Sequence, residues 1–253
     1  MVRFYYIIFI AMPLIIYNVT KASYYIKHPE KYDEDKCYLL AQRFIDVVKQ
    51  KGRIDTHVYG EDHLPDSGGY VMYSNHQGRY DALGIIGAHK KPCTVVMDYD
   101  RSLMPISNEF IGLLHGKRLK KDDLRQQVKT IQEMITELQQ GRKYLIFPEG
   151  GYTDNHNTLQ EFHAGSFKCA QKAGCPIVPV VIWDSYKPFE GKSIERVSTQ
   201  VHFLEVISPD TFTGKSTAEI RDMVRNKIEE RINEIAEKEG PYNSAEDKME
   251  FAE

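Results

Sequence analysis

Short apolar, β-rich runs alternate with stretches of helical periodicity along most of this chain, and that alternation limits the fold more than any other feature. Tyr70-Val71-Met72-Tyr73 follows Ser67-Gly68-Gly69 and reads as a strand. Cys93 to Met97, Tyr144 to Phe147 and Val201 to Ile207 read the same way, and Pro176 to Trp183 (PIVPVVIW) reads as a fully buried strand. Helices are predicted between them, over Ala82 to Ala88, Asp122 to Gln140 and Ala164 to Ala173. The second carries an apolar stripe of Leu124, Val128, Ile131, Ile135 and Leu138, with acids at its start and Gly141 at its end. Ser216-Thr217-Ala218-Glu219 is a capping box that opens a last long helix, with Ile220, Val224, Ile228, Ile232 and Ile235 on its buried face. Strands that alternate with helices pair in parallel, because each return needs a crossover. The expected fold is therefore α/β, a largely parallel central sheet flanked by helices.

The first residues obey a different rule. Phe4 to Thr20 carries no charge, has tyrosines near both ends, and lies between Arg3 and Lys21. That length is at the short end for crossing a bilayer. A signal peptide would want a more basic start and a small-residue cleavage site, and bulky Tyr24 and Tyr25 stand there instead. A buried core helix is the second alternative; the continuous apolarity and the tyrosines near the ends favour a membrane anchor, either spanning the bilayer or lying in one leaflet. Lys21, Lys27, Lys31 and Lys36 follow, so a spanning segment would leave the body of the protein on the cytoplasmic face. Asp33 to Lys51 reads as an amphipathic helix closed by Gly52. The organisation expected is a hydrophobic anchor over 1–21, an amphipathic helical segment over 22–52, an α/β domain over 53–240 and a polar tail over 241–253.

Composition removes some function classes. The net charge of −3 argues against a general nucleic-acid binder, so no nucleic-acid partner is expected. Cys37, Cys93, Cys169 and Cys175 form no CxxC pair and no zinc-ligand spacing. They read as buried thiols of a reducing compartment.

In an open α/β sheet, sites gather where strands end and helices begin. Ser74-Asn75-His76-Gln77-Gly78-Arg79-Tyr80-Asp81 is one such junction. A short loop can fold Asp81 back under the His76 imidazole; the carboxylate then fixes the tautomer and leaves the other ring nitrogen as a base. The spacing alone is weak, since His28 to Asp33 and His57 to Asp62 share it. Only His76 follows a buried strand. The bland alternative makes Asn75 and Asp81 turn and capping residues and His76 their polar neighbour. Phe147-Pro148-Glu149-Gly150-Gly151-Tyr152 is the second junction. Its glycines let backbone amides approach an oxyanion or phosphate, with Glu149 at the mouth, or it is an ordinary glycine turn.

Taken together, these segments resemble the glycerophospholipid acyltransferase family, the PlsC-type 1-acyl-glycerol-3-phosphate acyltransferases. His76 and Asp81 match its NHxxxxD motif, Phe147-Pro148-Glu149-Gly150 its FPEG motif, and Cys175-Pro176-Ile177-Val178-Pro179-Val180 its PIVPV segment, in the family's order. The run from Gly60 to Gln77 matches the entry into the first motif. The resemblance covers roughly residues 57 to 183. It implies transfer of a fatty acyl group from acyl-CoA or acyl carrier protein to the free hydroxyl of 1-acyl-glycerol 3-phosphate. His76 is then the base and Asp81 its orienting partner, with no metal or bound cofactor. Glycerol 3-phosphate or another lysolipid is the alternative acceptor. A silent membrane adaptor and a hydrolase are the other classes considered; the hydrolase lacks a GxSxG elbow. Two departures concern the acceptor's phosphate. Gly151 and Tyr152 stand where the family has Thr and Arg after FPEG, and the arginine of its second motif has no single counterpart in Lys117 to Lys121. The expected substrate-binding set is Asn75, Arg79, Arg118, Lys120, Lys121, Glu149, Gly150 and Gly151.

Overall fold

The computed structural model describes residues 2–239; the polar tail expected over 241–253 lies outside them. Two helices open the chain, α1 (Val2–Lys27) and α2 (Glu34–Gly52), followed by β1 (Ile54–Tyr59) and β2 (Tyr70–Ser74). Then come α3 (Asp81–Ala88), β3 (Thr94–Asp98), α4 (Tyr99–Ser102), α5 (Ser107–Leu113) and β4 (Lys117–Leu119). The remainder is α6 (Leu124–Gln139), β5 (Lys143–Ile146), α7 (Lys168–Ala173), β6 (Ile177–Trp183), α8 (Lys187–Glu190), β7 (Val197–Phe203) and α9 (Thr217–Glu239).

The seven strands form one sheet in the order β1-β7-β6-β2-β5-β3-β4. Every neighbouring pair is parallel except β6 and β7. The predicted class therefore holds, with β1 and β7 running against the other five. Side-chain parity divides the core. Tyr70, Met72, Leu145, Val178 and Val180 point to the layer of α2, α3 and α5, whereas Val71, Tyr73, Tyr144, Ile177 and Val181 point to α6, α7 and α9. The α9 stripe is buried as its spacing predicts, and Ser216 Oγ and Glu219 form the capping box. All four cysteines are buried and free.

One expectation needs correction, and three elements go beyond what the sequence shows. Strands β1 and β4 were not legible: β1 is the mixed sequence IDTHVY and β4 has three residues, all half-buried. The α6 stripe is displaced. Leu124 and Val128 are 75% and 62% exposed, while Thr130, Met134, Ile135 and Leu138 are buried. Val128 faces an open groove between α6 and α7, so its helical spacing has no core to meet. Finally, the helix that holds the uncharged run extends beyond it. Helix α1 continues to Lys27, and α2 begins after its N-cap Asp33, which accepts the Lys36 N–H at 3.0 Å.

Helix α1 is long and apolar enough to cross a bilayer, yet one stripe of it is docked on the domain along its whole length. Arg3, Ile7, Ala11, Ile15, Asn18 and Ala22 are buried, three or four residues apart. Arg3 donates to the Lys187, Pro188 and Glu195 carbonyls. Gly52 contributes by lacking a side chain, since a Cβ there would come within 2.7 Å of Ile7 Cδ1. The left-handed closing residue of α2 is Arg53, at φ 52°. On the opposite side of α1, Tyr5, Phe9, Met12, Ile16 and Tyr17 are exposed.

Candidate active site

The parallel strands β6, β2, β5, β3 and β4 share one C-terminal edge, and the site lies along it. As β2 ends, the chain turns through residues 75–80 and enters α3 at Asp81. The turn closes around one carboxylate oxygen. Asp81 Oδ2 accepts from His76 Nδ1 at 2.6 Å, from the Gln77 N–H at 2.5 Å and from the Gly78 N–H at 2.8 Å. Asp81 is fully buried, while the His76 side chain keeps 16% exposure. With Nδ1 held by the carboxylate, Nε2 is the nitrogen left to take a proton. Phe147 stacks on the imidazole with ring centres 4.3 Å apart, and Tyr152 meets it edge-on at 4.7 Å. These rings fix the tilt of the base.

The His76 backbone is clamped as well. Its N–H donates to Glu149 Oε1 at 3.2 Å, and its carbonyl accepts from Asn155 Nδ2 at 3.0 Å. Gln160 Nε2 donates to the other Glu149 oxygen at 2.6 Å. Glu149 is thus 7% exposed and engaged on both oxygens. It lies beneath the site, not at its mouth as the sequence suggested. Burial raises its carboxyl to about 7; the donors Gln160 and His76 N–H oppose that shift, and the Asp81 charge adds to it.

A second buried network ties the turn to β6. Asn75 is fully buried; its amide donates to the Ile182 carbonyl and its oxygen accepts the Ile182 N–H. Gln77 donates to Asn157 Oδ1 and the Ile182 carbonyl and accepts the Ser185 N–H. Asn157 in turn donates to Asp184, which holds φ 58°.

Of the expected substrate-binding residues, Asn75 and Glu149 are therefore scaffold. Gly150 is required by its φ of 70°, and a Cβ there would also come 3.1 Å from His163. Nothing crowds Gly151. Arg79 is exposed with its guanidinium over Phe4 of α1, at 5.6 Å. The Arg118 guanidinium is held by Asn108 Oδ1 at 2.9 Å. Lys120 lies over the Tyr99 ring at 4.5 Å, and Lys121 is exposed. Sequence reasoning missed Asn155, Asn157, Gln160 and Asp184. The only signal was the polar stretch Thr153 to Gln160 directly after the glycines, which reads as a solvated loop until its side chains are seen to turn inward.

The family model described as Acyltransferase matches residues 55–183, just over half of the chain. The chain belongs to the acyltransferase family. His76, Asp81 and Glu149 all fall inside the matched stretch. The chain is 27% identical over 203 residues to 1-acyl-sn-glycerol-3-phosphate acyltransferase of Saccharomyces cerevisiae, covering 78% of this chain and 66% of that protein. It is 29% identical over 198 residues to the human 1-acyl-sn-glycerol-3-phosphate acyltransferase alpha, covering 75% of this chain and 68% of the relative. The chain thus spans about two thirds of the length of these family members. Its fold matches the crystal structure of the 1-acyl-sn-glycerophosphate acyltransferase PlsC from Thermotoga maritima with a TM-score of 0.74 at 22% identity, over 91% of this chain and 93% of that one.

Proposed function

We propose that this chain moves a fatty acyl group from an acyl thioester, acyl-CoA or acyl carrier protein, to the free hydroxyl of 1-acyl-glycerol 3-phosphate, giving phosphatidic acid. The observation that carries this reading is the His76–Asp81 pair, with Nδ1 held at 2.6 Å by a fully buried carboxylate. His76 Nε2 takes the acceptor's hydroxyl proton as the oxygen attacks the thioester carbonyl. The C–S bond then breaks, and the thiolate leaves with the proton from the imidazolium. Asp81 steadies that imidazolium. The Gly151 segment, uncrowded at the strand end, is the candidate source of amide donors to the oxyanion. No metal or bound cofactor is invoked; the thioester is a co-substrate. Among the described residues, no group of three or more His, Cys, Asp or Glu is placed to hold a metal ion.

The membrane reading follows from α1. A stripe docked along the whole helix keeps it against the domain, so its open face of Tyr5, Phe9, Met12, Ile16 and Tyr17 is suited to one leaflet, not to a free span. The Arg79 guanidinium lies over Phe4, so the start of the lipid-facing helix packs against the turn that carries His76. A lipid acceptor then reaches the site without crossing water. Lys21 and Lys27 in the last turns of α1, with Lys31 and Lys36 beyond it, suit an anionic leaflet such as the cytoplasmic one. The test is purified protein in lipid, given labelled acyl-CoA or acyl carrier protein with a panel of lysolipids and glycerol 3-phosphate. Preferred esterification of 1-acyl-glycerol 3-phosphate is expected. Exclusive use of a lysolipid without a phosphate monoester would reassign the acceptor, and no transfer to any acceptor would favour the silent adaptor.

A further inference from the structure

The loop after FPEG lacks the arginine that the family resemblance leads one to expect, and a cation from a different strand end lies over the residue that stands there. Tyr152 occupies that position, edge-on to His76 at 4.7 Å. Over the same phenol ring lies the Arg101 guanidinium, 5.7 Å from its centre. Arg101 belongs to α4, which begins directly at the end of β3. Its position is set by Asp98, whose Oδ1 accepts the Arg101 N–H at 3.1 Å. Arg118, by contrast, is engaged with Asn108. Among the described residues, no carboxylate makes an ion pair with Arg101.

The sheet order sets these groups in a row. Strands β2, β5, β3 and β4 are consecutive and parallel. Their C-terminal ends lead in turn to His76, Tyr152, Arg101 and Lys120, and Lys120 packs on Tyr99 of the same α4 turn. The His76 ring lies 4.7 Å and the Arg101 guanidinium 5.7 Å from the centre of the Tyr152 ring, so the two are at most roughly 10 Å apart. A glycerol phosphate fits that span. Its hydroxyl oxygen lies roughly 5 Å from the phosphorus on the neighbouring carbon at ordinary bond lengths. A hydrogen bond of about 3 Å at each end completes the reach.

We propose that Arg101, together with the Tyr152 hydroxyl, is the specificity-determining pair that binds the acceptor's phosphate monoester while its neighbouring hydroxyl rests on His76. Lys120 adds a second positive charge at the far rim. This deepens the acyl-transfer reading and rests on it for the placement of the hydroxyl. A guanidinium meets phosphate oxygens in a fork, and a phenol adds one donor, so the two read a phosphate monoester better than a neutral headgroup.

The test has a kinetic and a binding arm. In the full chain in lipid, Arg101→Ala is expected to raise the KM for 1-acyl-glycerol 3-phosphate at least tenfold while the KM for the acyl thioester moves less than twofold. Arg101→Lys should fall between, and Tyr152→Phe should raise the acceptor KM several-fold. Placing an arginine on the β5 loop, as Tyr152→Arg in the Arg101→Ala background, should recover acceptor affinity. Calorimetric titration of 1-acyl-glycerol 3-phosphate into His76→Ala protein, with and without Arg101→Ala, reads the same contact without turnover. Arg101-dependent binding, when the chain with His76 intact transfers no acyl group to any acceptor, would overturn the acyl-transfer reading and leave the phosphate assignment standing. Normal transfer with unchanged acceptor KM and binding in Arg101→Ala would overturn this assignment alone. A rise in thioester KM equal to that of the acceptor would also overturn it.

Discussion

At the scale of single residues, the site is a base held from three directions. Asp81 fixes the ring, Phe147 and Tyr152 fix its tilt, and Glu149 and Asn155 fix the backbone on either side. Such support predicts that residues never touching substrate still control rate. Asn155→Ala frees the His76 carbonyl and should lower kcat about tenfold while leaving both KM values nearly unchanged, because a misplaced base slows chemistry more than binding. Steady-state kinetics on the purified variant checks this, and a pure KM effect would place Asn155 in the substrate contact instead. Glu149 predicts a pH effect on stability. Its carboxyl is raised from 4.5 to about 7 by burial. A raised pKa means the folded state holds the proton more tightly, so this stabilisation is complete below about 4.5 and is lost as pH rises through 7. A shift of that size amounts to at most about 3 kcal/mol. The unfolding midpoint should therefore fall between pH 5 and 8 more steeply in the wild type than in Glu149→Gln, measured by denaturant titration across that range. Equal slopes would mean that the buried carboxyl is not what titrates.

At the scale of elements, α1 is where sequence and structure tell different stories. Its uncharged run announces a membrane segment, and Arg3 before it looks like a flanking charge. In the structure Arg3 is buried and bonded to three carbonyls around α8, and the helix is an outer wall of the domain. Taken alone, the uncharged run implies that deleting residues 1–21 releases a soluble domain. Docking reverses that expectation: the deletion uncovers Val48, Ile54 and Phe189, which pack against the α1 stripe, and should yield aggregated protein. Replacing the open face, as Phe9→Ser with Tyr17→Ser, should weaken sedimentation with vesicles without lowering the unfolding midpoint, since neither side chain is in the core. A loss of stability comparable to that of Ile15→Ala would show that the open face is packed after all. Periodicity identifies an apolar helix but not which of its stripes meets protein and which meets lipid. The same blindness displaced the α6 stripe, where Leu124 and Val128 satisfy helical spacing and remain exposed. Where every apolar position finds a partner, as along α9, the spacing and the burial agree.

At the scale of the whole molecule, function follows from one edge of a parallel sheet. The strands that carry chemistry were readable because both faces are buried, which writes them as continuous apolar runs: β2, β5 and β6 are the three most evident in the sequence and the three at the sheet's centre. Strands β1 and β4 sit at the two edges and carry mixed sequence, so they could not be read. His76 and Asp81 were legible because a short loop after a buried strand forces them together. Asn155, Asn157 and Gln160 were not, because they reach the site from a long polar loop whose path depends on tertiary hydrogen bonds. Of the three histidines followed by an aspartate five residues on, only the one held at this edge is placed to do chemistry. His76→Ala, His28→Ala and His57→Ala, assayed side by side for acyl transfer to 1-acyl-glycerol 3-phosphate with unfolding midpoints as the folding control, test it most directly. A loss of about 10²- to 10⁴-fold is expected for folded His76→Ala, and wild-type turnover for the other two. Near-normal turnover by a folded His76→Ala protein would contradict it.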